Sequence, residues 1–539
     1  MSAQLVIVTV QINPVVGDIQ GNLDRMLEAV STARQEHGAD LVIFPEFCLT
    51  GYPPEDLLLH EDFSQQVQAA EATLRAKLPG DVGVLYGTPD YSHEGLRNAA
   101  VLLSEGRELA RYHKRCLPNY SVFDEKRWFT AGDQACVVDF KGVKLGLTIC
   151  EDLWVAGPAE DTGQAGAELI LSLSASPYAL NKAEERQAEF AQRAREGGVP
   201  VLVCNLLGGQ DELVFDGASV GVNPDGAVAL QAPEWQAGFY PVQYAQGRLF
   251  DGPVHTPLSA EASQYQGAVL ATRDYLNKNG APGALIGLSG GIDSAITLAI
   301  AVDAIGADRV TAVMMGSAYT RDISYELARE QAALLDVEYL NLDIGDSVAA
   351  LEESLSRGLA EPVSGVAAEN LQSRIRGVKL MALSNQRGEM VLATGNKSEL
   401  AMGYATLYGD MVGAFAPIRD LSKSRVYALA DWRNRQGRVI PQAVIDRPPS
   451  AELRPDQYDT DSLPEYAVLD AIIEAFVEAD RGLNSLVAEG FDEALCQRVL
   501  RMVQLNEYKR RQGAPGPRLS RRAFGRDRRY PITSGFRRG

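Results

Sequence analysis

The chain has 539 residues, 46% hydrophobic and 23% charged, enough for two or more domains that each bury a core. Its formal charge of −20 argues against a nucleic acid or an anionic membrane as partner for the whole molecule. No apolar run reaches the ~18 residues of a membrane span, the N-terminus enters a strand without a basic leader, and six scattered cysteines form no C-x-x-C pair; these features predict a cytoplasmic protein without a zinc site.

Within residues 1–245, short apolar runs at 5–12, 41–44, 82–87, 99–103, 136–140, 143–150, 169–173 and 199–205 predict strands. Between them, 22–37 carries apolar residues at 23, 26, 27, 30 and 33, and 182–196 is charged with an Ala/Phe face, so both predict amphipathic helices. An α/β sandwich with helices outside and apolar strands inside follows.

Three predicted strands end in groups that carry chemistry: Glu46 in Phe-Pro-Glu, Lys114 in Tyr-His-Lys, and Cys150 in Thr-Ile-Cys-Glu-Asp. A nucleophilic cysteine needs a base and a positive charge for the developing oxyanion. Histidine is the usual base, but of the five present only His113 lies near such a stretch, whereas Glu46 and Lys114 supply both requirements. Together these segments resemble the nitrilase/amidase superfamily. The resemblance implies an α-β-β-α sandwich in which Glu46 is the general base, Lys114 steadies the tetrahedral intermediate and Cys150 forms a thioester with release of ammonia. Glu125 sits where that superfamily has a second acidic residue orienting the lysine. Tyr120, Ser176 and Lys182 match the glutamine-binding positions of nitrilase-type glutaminases.

A Gly/Pro-rich stretch, 246–261, reads as a linker, dividing the chain into a hydrolase-like domain at 1–245 and a second domain at 262–539. Helix 262–278, strand 284–288, helix 293–304, strand 309–314, helix 323–335, strand 338–342, helix 368–385 and strand 390–394 then keep a βαβ rhythm, which predicts a doubly wound parallel sheet. The first of these strands runs into Gly287-Leu288-Ser289-Gly290-Gly291-Ile292-Asp293-Ser294 and then a helix. Backbone N–H groups freed by the glycines, the helix N-terminus and two hydroxyls suit a phosphate. A carboxylate in such a cradle makes sense as a ligand for Mg²⁺ travelling with the phosphates. No Walker lysine precedes Ser294. The spacing Ser-Gly-Gly-x-Asp-Ser resembles instead the PP-loop of enzymes that split ATP into AMP and pyrophosphate.

Further segments, Glu369-Asn-Leu-Gln-Ser-Arg374, Thr394-Gly-Asn-Lys-Ser-Glu399, Tyr408-Gly-Asp410 and Ile418-Arg-Asp-Leu-Ser-Lys423, resemble the ammonia-using NAD⁺ synthetases. That resemblance implies an amidotransferase that adenylates deamido-NAD⁺ and displaces AMP with ammonia from glutamine. It places Thr394 and Lys423 with ATP, Asp293 and Glu399 on Mg²⁺, and Asn370, Arg374, Glu399 and Lys509 on deamido-NAD⁺. It implies no tightly bound organic cofactor and a homo-oligomer built on paired synthetase domains. From Lys509 onward eleven Lys or Arg face a single acid, Asp527; by itself this reads as a nucleic-acid tail or the border of an anionic small-molecule site, and the resemblance points to the dinucleotide. The polar stretch 447–463 predicts a loop that orders over substrate. The alternative is a PP-loop amidotransferase with another acceptor. Those acting on purine nucleotides use a glutaminase with Gly-x-Cys-x-Gly and a catalytic histidine, and the glycines are absent around Cys150.

Overall fold

A computed structural model describes residues 4–92, 95–455, 457–461 and 463–536. The chain divides into two compact units between Leu258 and Ser259.

In the first unit, two sheets pair face to face. One has seven strands in the spatial order Arg248–Phe250, Gly238–Ala245, Gln4–Gln11, Leu41–Ile43, Gly83–Asp90, Arg97–Ser104, Arg107–His113; the other has six, running Val228–Gln231, Val220–Val222, Val201–Asn205, Leu169–Ser174, Val143–Ile149, Cys136–Phe140. The central strands of each sheet are parallel and the flanking ones antiparallel. Side chains alternate along each strand, which sorts the apolar residues into layers. Leu5, Ile7, Leu41 and Ile43 face Leu145, Leu147, Leu169 and Leu171 across the inter-sheet core. Their outward neighbours Val8, Val10 and Val42 pack on Leu23, Met26 and Val30 of helix Ile19–His37 and on Phe63 and Val67 of helix Glu61–Lys77. Ile170, Val201 and Val203 do the same against Phe190 and Ala194 of helix Lys182–Gly197. The result is the α-β-β-α sandwich.

The stretch 246–261 is not a free linker. Arg248–Phe250 extends the seven-stranded sheet, Val254 bridges Gln231, and Leu258 N donates to Glu234 Oε1 at 3.0 Å, so its Gly/Pro composition serves packed turns. Ser259 then caps helix Ala260–Lys278, accepting from Ala262 N.

The second unit carries four parallel strands in the order Glu338–Asn341, Val310–Met314, Ala284–Gly287, Met390–Leu392. The chain works outward from Ala284–Gly287 to one side and then returns to place Met390–Leu392 on the other. The crevice at the carboxyl ends of those two adjacent strands is therefore the switch point where ligands of doubly wound sheets bind. A helical cluster around Leu469, Ile472, Val499 and Leu500 completes the unit. Among the described residues no helix is long and apolar enough to cross a membrane.

Candidate active sites

Strand Leu41–Ile43 ends three residues before Glu46 and delivers it into a buried position. A Cβ at Gly87 would lie 2.4 Å from Phe47 N and 2.8 Å from Glu46 Cα, so only glycine lets the next strand approach this closely. Glu46 Oε1 accepts from Lys114 Nζ at 2.8 Å and Asn98 Nδ2 at 2.7 Å, and Oε2 accepts from Ala175 N at 2.9 Å. Lys114, just past strand Arg107–His113, also donates to Glu125 Oε1 at 2.8 Å, and the Tyr52 hydroxyl donates to the same oxygen at 3.0 Å. Burial alone would lower the Lys114 pKa, but the carboxylates of Glu125 and Glu46 more than offset it and hold the ammonium well above the ordinary lysine value. Burial pushes Glu125 up to about 7 in spite of Lys114. Glu46, Lys114 and Glu125 thus form one buried group.

Cys150 begins the turn after strand Val143–Ile149, at a φ of 43°, which swings its side chain off the strand path. Asp152 fixes that turn: Oδ2 accepts from Ile149 N at 2.9 Å and Tyr112 Oη at 2.8 Å, while Oδ1 accepts from Cys116 N at 2.8 Å and Arg115 N at 3.1 Å. One carboxylate therefore ties the backbone next to Lys114 to the backbone next to Cys150. Burial, followed by the charge of Glu46, raises the Cys150 pKa far above that of a free thiol, with Lys114 and Ser174 opposing the shift. Ser174 Oγ lies 3.5 Å from the sulfur. The group is a thiol at neutral pH and needs a base, and the Glu46 charge is close enough to act on it.

Of the residues expected to bind glutamine, Tyr120 is held beside this turn, its hydroxyl 3.0 Å from both carboxylate oxygens of Glu151. Ser176 follows Ser174 and Ala175 on the neighbouring strand end, with its N–H donating to Asn205 Oδ1 at 3.0 Å. Lys182 starts helix Lys182–Gly197 with its ammonium 3.7 Å over the Trp154 ring. His113 pairs with Asp90 at 2.8 Å and is not part of the buried group. Tyr52, Asn98 and Ser174 were not foreseen, since a buried hydroxyl or amide leaves no pattern in a single sequence; Asp152 stood in the Cys-Glu-Asp motif without a role.

In the second unit a cavity of ≈ 280 Å³ opens at the switch point, lined by all of Gly287–Ser294 except Gly290, and by Thr394, Glu399 and Lys423. Gly290 adopts a φ of 77°, and a Cβ there would meet Ser324 O at 2.6 Å. Gly291 N donates to Ser289 Oγ at 3.2 Å and Ser289 N to Ser294 Oγ at 3.2 Å, which shapes the loop into a cradle at the start of helix Ile292–Ile305. Apolar Leu288, Val313, Met315, Leu380 and Leu392 line the same cavity and suit a flat base. Lys423 Nζ sits 2.6 Å from Asp293 Oδ2 and 3.2 Å from Glu399 Oε1. Pro448–Leu453 and Asp459 of the polar loop also line the cavity. Glu452 anchors that loop through Ser324 Oγ at 2.8 Å and Arg447 Nη2 at 2.8 Å; positions 456 and 462 of the loop lie outside the described residues.

Asn370, Arg374 and Lys509 do not line this cavity; they converge on one loop beside it. Thr406 Oγ1 donates to Asn370 Oδ1 at 2.8 Å, Arg374 Nε to Leu407 O at 3.2 Å, and Lys509 Nζ to Gly403 O at 2.7 Å and Ala405 O at 2.8 Å. Asp410 closes the same loop by accepting from Thr406 N at 2.7 Å, and burial pushes it up to about 6. Much of the basic C-terminal charge is spoken for within the unit. Arg510 donates to Leu400 O at 3.0 Å, Arg518 pairs with Asp527 at 2.7 Å, and Arg528 pairs with Asp480 at 2.7 Å. These three guanidiniums hold the fold of the second unit together.

Among the described residues no cluster of three or more acidic, His or Cys side chains is poised to hold a metal alone. The donor set still fits a divalent cation shared with phosphates. Burial, then the charge of Asp293, pushes Glu399 up to about 8, and Lys423 is the countercharge between the two carboxylates. This carries a stability consequence. A carboxyl raised on folding contributes stability in full below its ordinary value of 4.5 and loses it as pH rises through about 8. Glu399→Gln is therefore expected to raise the melting temperature of the unliganded protein at pH above 8, by about 2–4 °C, and to have no such effect below about pH 4.5; thermal melts across this range check it.

Residues 7–250 match the carbon-nitrogen hydrolase family and residues 264–513 match NAD synthase. The chain is 49% identical over 530 residues to the glutamine-dependent NAD(+) synthetase of Xanthomonas campestris pv. campestris (strain 8004), spanning 97% of this chain and 96% of that protein. It is 46% identical over 532 residues to that of Acinetobacter baylyi, spanning 98% of each. A solved structure of glutamine-dependent NAD⁺ synthetase from Acinetobacter baumannii in complex with adenosine diphosphate matches with a TM-score of 0.81 at 42% identity, covering 99% of both chains. That of the enzyme from Cytophaga hutchinsonii, at 20% identity and a TM-score of 0.85, attests the fold alone.

Proposed function

The chain belongs to the glutamine-dependent NAD(+) synthetase family, and we propose that it converts deamido-NAD⁺, ATP and glutamine to NAD⁺, AMP, pyrophosphate and glutamate. The observation that carries this reading is the pairing, on one chain, of a buried Glu46–Lys114 pair beside Cys150 with a Walker-lysine-free phosphate cradle bearing Asp293.

At the first site Glu46 takes the proton of Cys150 as the sulfur adds to the side-chain amide carbon of glutamine. The Lys114 ammonium faces the developing oxyanion, where in a buried setting its charge counts for more than in water. Return of the proton to nitrogen expels ammonia and leaves a thioester, which water attacks with Glu46 again the base, giving glutamate. Tyr120, Ser176 and Lys182 hold the amino-acid end of the substrate, a role supported by their positions around the Cys150 turn.

At the second site the loop Gly287–Ser294, with Thr394, takes ATP. Deamido-NAD⁺ is held by Asn370, Arg374, Glu399 and Lys509; its carboxylate attacks the α-phosphorus and pyrophosphate leaves. Ammonia then adds to the acyl carbon and AMP departs. Asp293 and Glu399 would hold Mg²⁺, whose contribution is to neutralise charge on the leaving phosphates. Lys423, buried between those carboxylates, adds a cation that can turn to the same charge. Homo-oligomerisation is part of the proposal. It is supported by Leu351, Leu355 and Leu359, exposed at successive turns of helix Gly345–Leu359, which buries no residue of its own.

The test is product analysis with deamido-NAD⁺, ATP and glutamine. AMP, pyrophosphate and NAD⁺ in equal amounts are expected; ADP, or AMP formed without deamido-NAD⁺ being consumed, would overturn the reading.

A further inference from the structure

We propose that Asn396 is a positioning residue that sets the Asp293 carboxylate against Glu399 for metal-bound ATP, an inference that rests on the assignment of Gly287–Ser294 to ATP. Asn396 is fully buried and caps the short helix Lys397–Met402: its Oδ1 accepts from Glu399 N at 3.0 Å, and its own N–H points to Glu399 Oε2 at 3.4 Å. That accounts for one end of the amide. The other end, Nδ2, donates to Asp293 Oδ1 at 2.9 Å, across 103 residues of sequence.

A helix cap requires only an acceptor, and Ser, Thr, Asp or Asn supplies it about equally well. Of those four, only Asn adds an N–H donor, so the cap does not explain the second bond. Lys423 holds the opposite oxygen, Oδ2, at 2.6 Å, which leaves the Asp293 carboxylate pinned from both oxygens and its rotation fixed. The same side chain thus reaches the Asp293 carboxylate and the backbone of Glu399, the two groups assigned to the cation. When Lys423 turns to the phosphates, Asn396 is the contact that keeps the carboxylate oriented, in the way outer partners orient the ligands of metal sites.

Substitutions separate the two roles in the full-length protein. Asn396→Ser keeps a capping oxygen but is too short to reach Asp293; Asn396→Ala removes both; Asn396→Asp keeps the cap and places a third carboxylate against Asp293. Each is titrated calorimetrically with α,β-methylene-ATP and Mg²⁺, and its thermal unfolding is followed. Asn396→Ser is expected to bind the analogue with Mg²⁺ about tenfold more weakly, with the parent's melting temperature. Asn396→Ala should weaken binding equally while melting lower, and Asn396→Asp should weaken it further. Parent-like binding by Asn396→Ser would overturn the proposal, since the amide would then serve as a cap alone. Asp293→Asn is run alongside. If it too binds the analogue and Mg²⁺ like the parent, the ATP assignment fails; if it loses binding while Asn396→Ser does not, only the positioning role fails.

Discussion

Cys150→Ala is expected to lower glutamine-driven NAD⁺ formation by about 10⁴-fold, to near background, while ammonium-driven formation stays within about twofold of the parent. The sulfur is the atom that bonds to carbon in the proposed thioester, and no other described cysteine can take its place. Cys48 and Cys204 are buried, as Cys150 is. Neither is among the groups acting on Lys114, whereas Cys150 is. The substitution costs little structurally. Position 150 already sits in the left-handed region at a φ of 43° as a non-glycine residue, and alanine carries the same Cβ there. Asp152, which holds the turn through Ile149, Arg115 and Cys116, is untouched. Rates with saturating glutamine and with an ammonium salt, measured on the same preparation, check the prediction. Loss of both activities in a variant with unchanged thermal unfolding would refute the division of labour, and retained glutamine-driven synthesis would refute Cys150 as nucleophile.

What could be read from the sequence was chemistry attached to strand ends. Glu46 and Cys150 each follow an apolar run closely, whereas Lys114 follows the charged strand Arg107–His113, which pairs antiparallel and shows no apolar run. The cradle was readable because Gly287–Ser294 is a single continuous segment between a strand and a helix. Contacts depending on the third dimension were hidden. Asn98 and Tyr52 reach Glu46 and Glu125 across 52 and 73 residues. Glycine and proline mark turns whether or not those turns are packed, so 246–261 has a linker's composition although Arg248–Phe250 pairs with the preceding strand Gly238–Ala245. Charge counting likewise takes no account of partners: Asp480, Asp527 and backbone carbonyls hold several guanidiniums of the C-terminal stretch.

Asp293→Asn is expected to abolish synthesis with either nitrogen source, lowering AMP formation by about 10²–10³-fold, while glutamine hydrolysis at Cys150 persists. Asn matches Asp in shape, so the variant tests charge alone. The carboxylate stands at the start of helix Ile292–Ile305, where the helix dipole favours an anion, and there it would compete with the phosphates the cradle is built to receive. It is tolerable in the unliganded protein because Lys423 and Asn396 each hold one of its oxygens, at 2.6 and 2.9 Å. With ATP in the cradle, a carboxylate among phosphates is repulsive unless a cation joins them, and the role assigned to Mg²⁺ follows from that balance. Neutralising position 293 removes the repulsion but also one of the two protein charges that would bind the cation, so the leaving pyrophosphate loses its compensation and the barrier rises. Quantifying AMP and pyrophosphate, with glutamine and then with an ammonium salt, checks it. Unchanged AMP formation would place the metal elsewhere, whereas loss with glutamine alone would move Asp293 out of the adenylation step and into the supply of nitrogen. Equal loss with both sources, set against Cys150→Ala losing only one, is the pattern that two separate chemistries on one chain require.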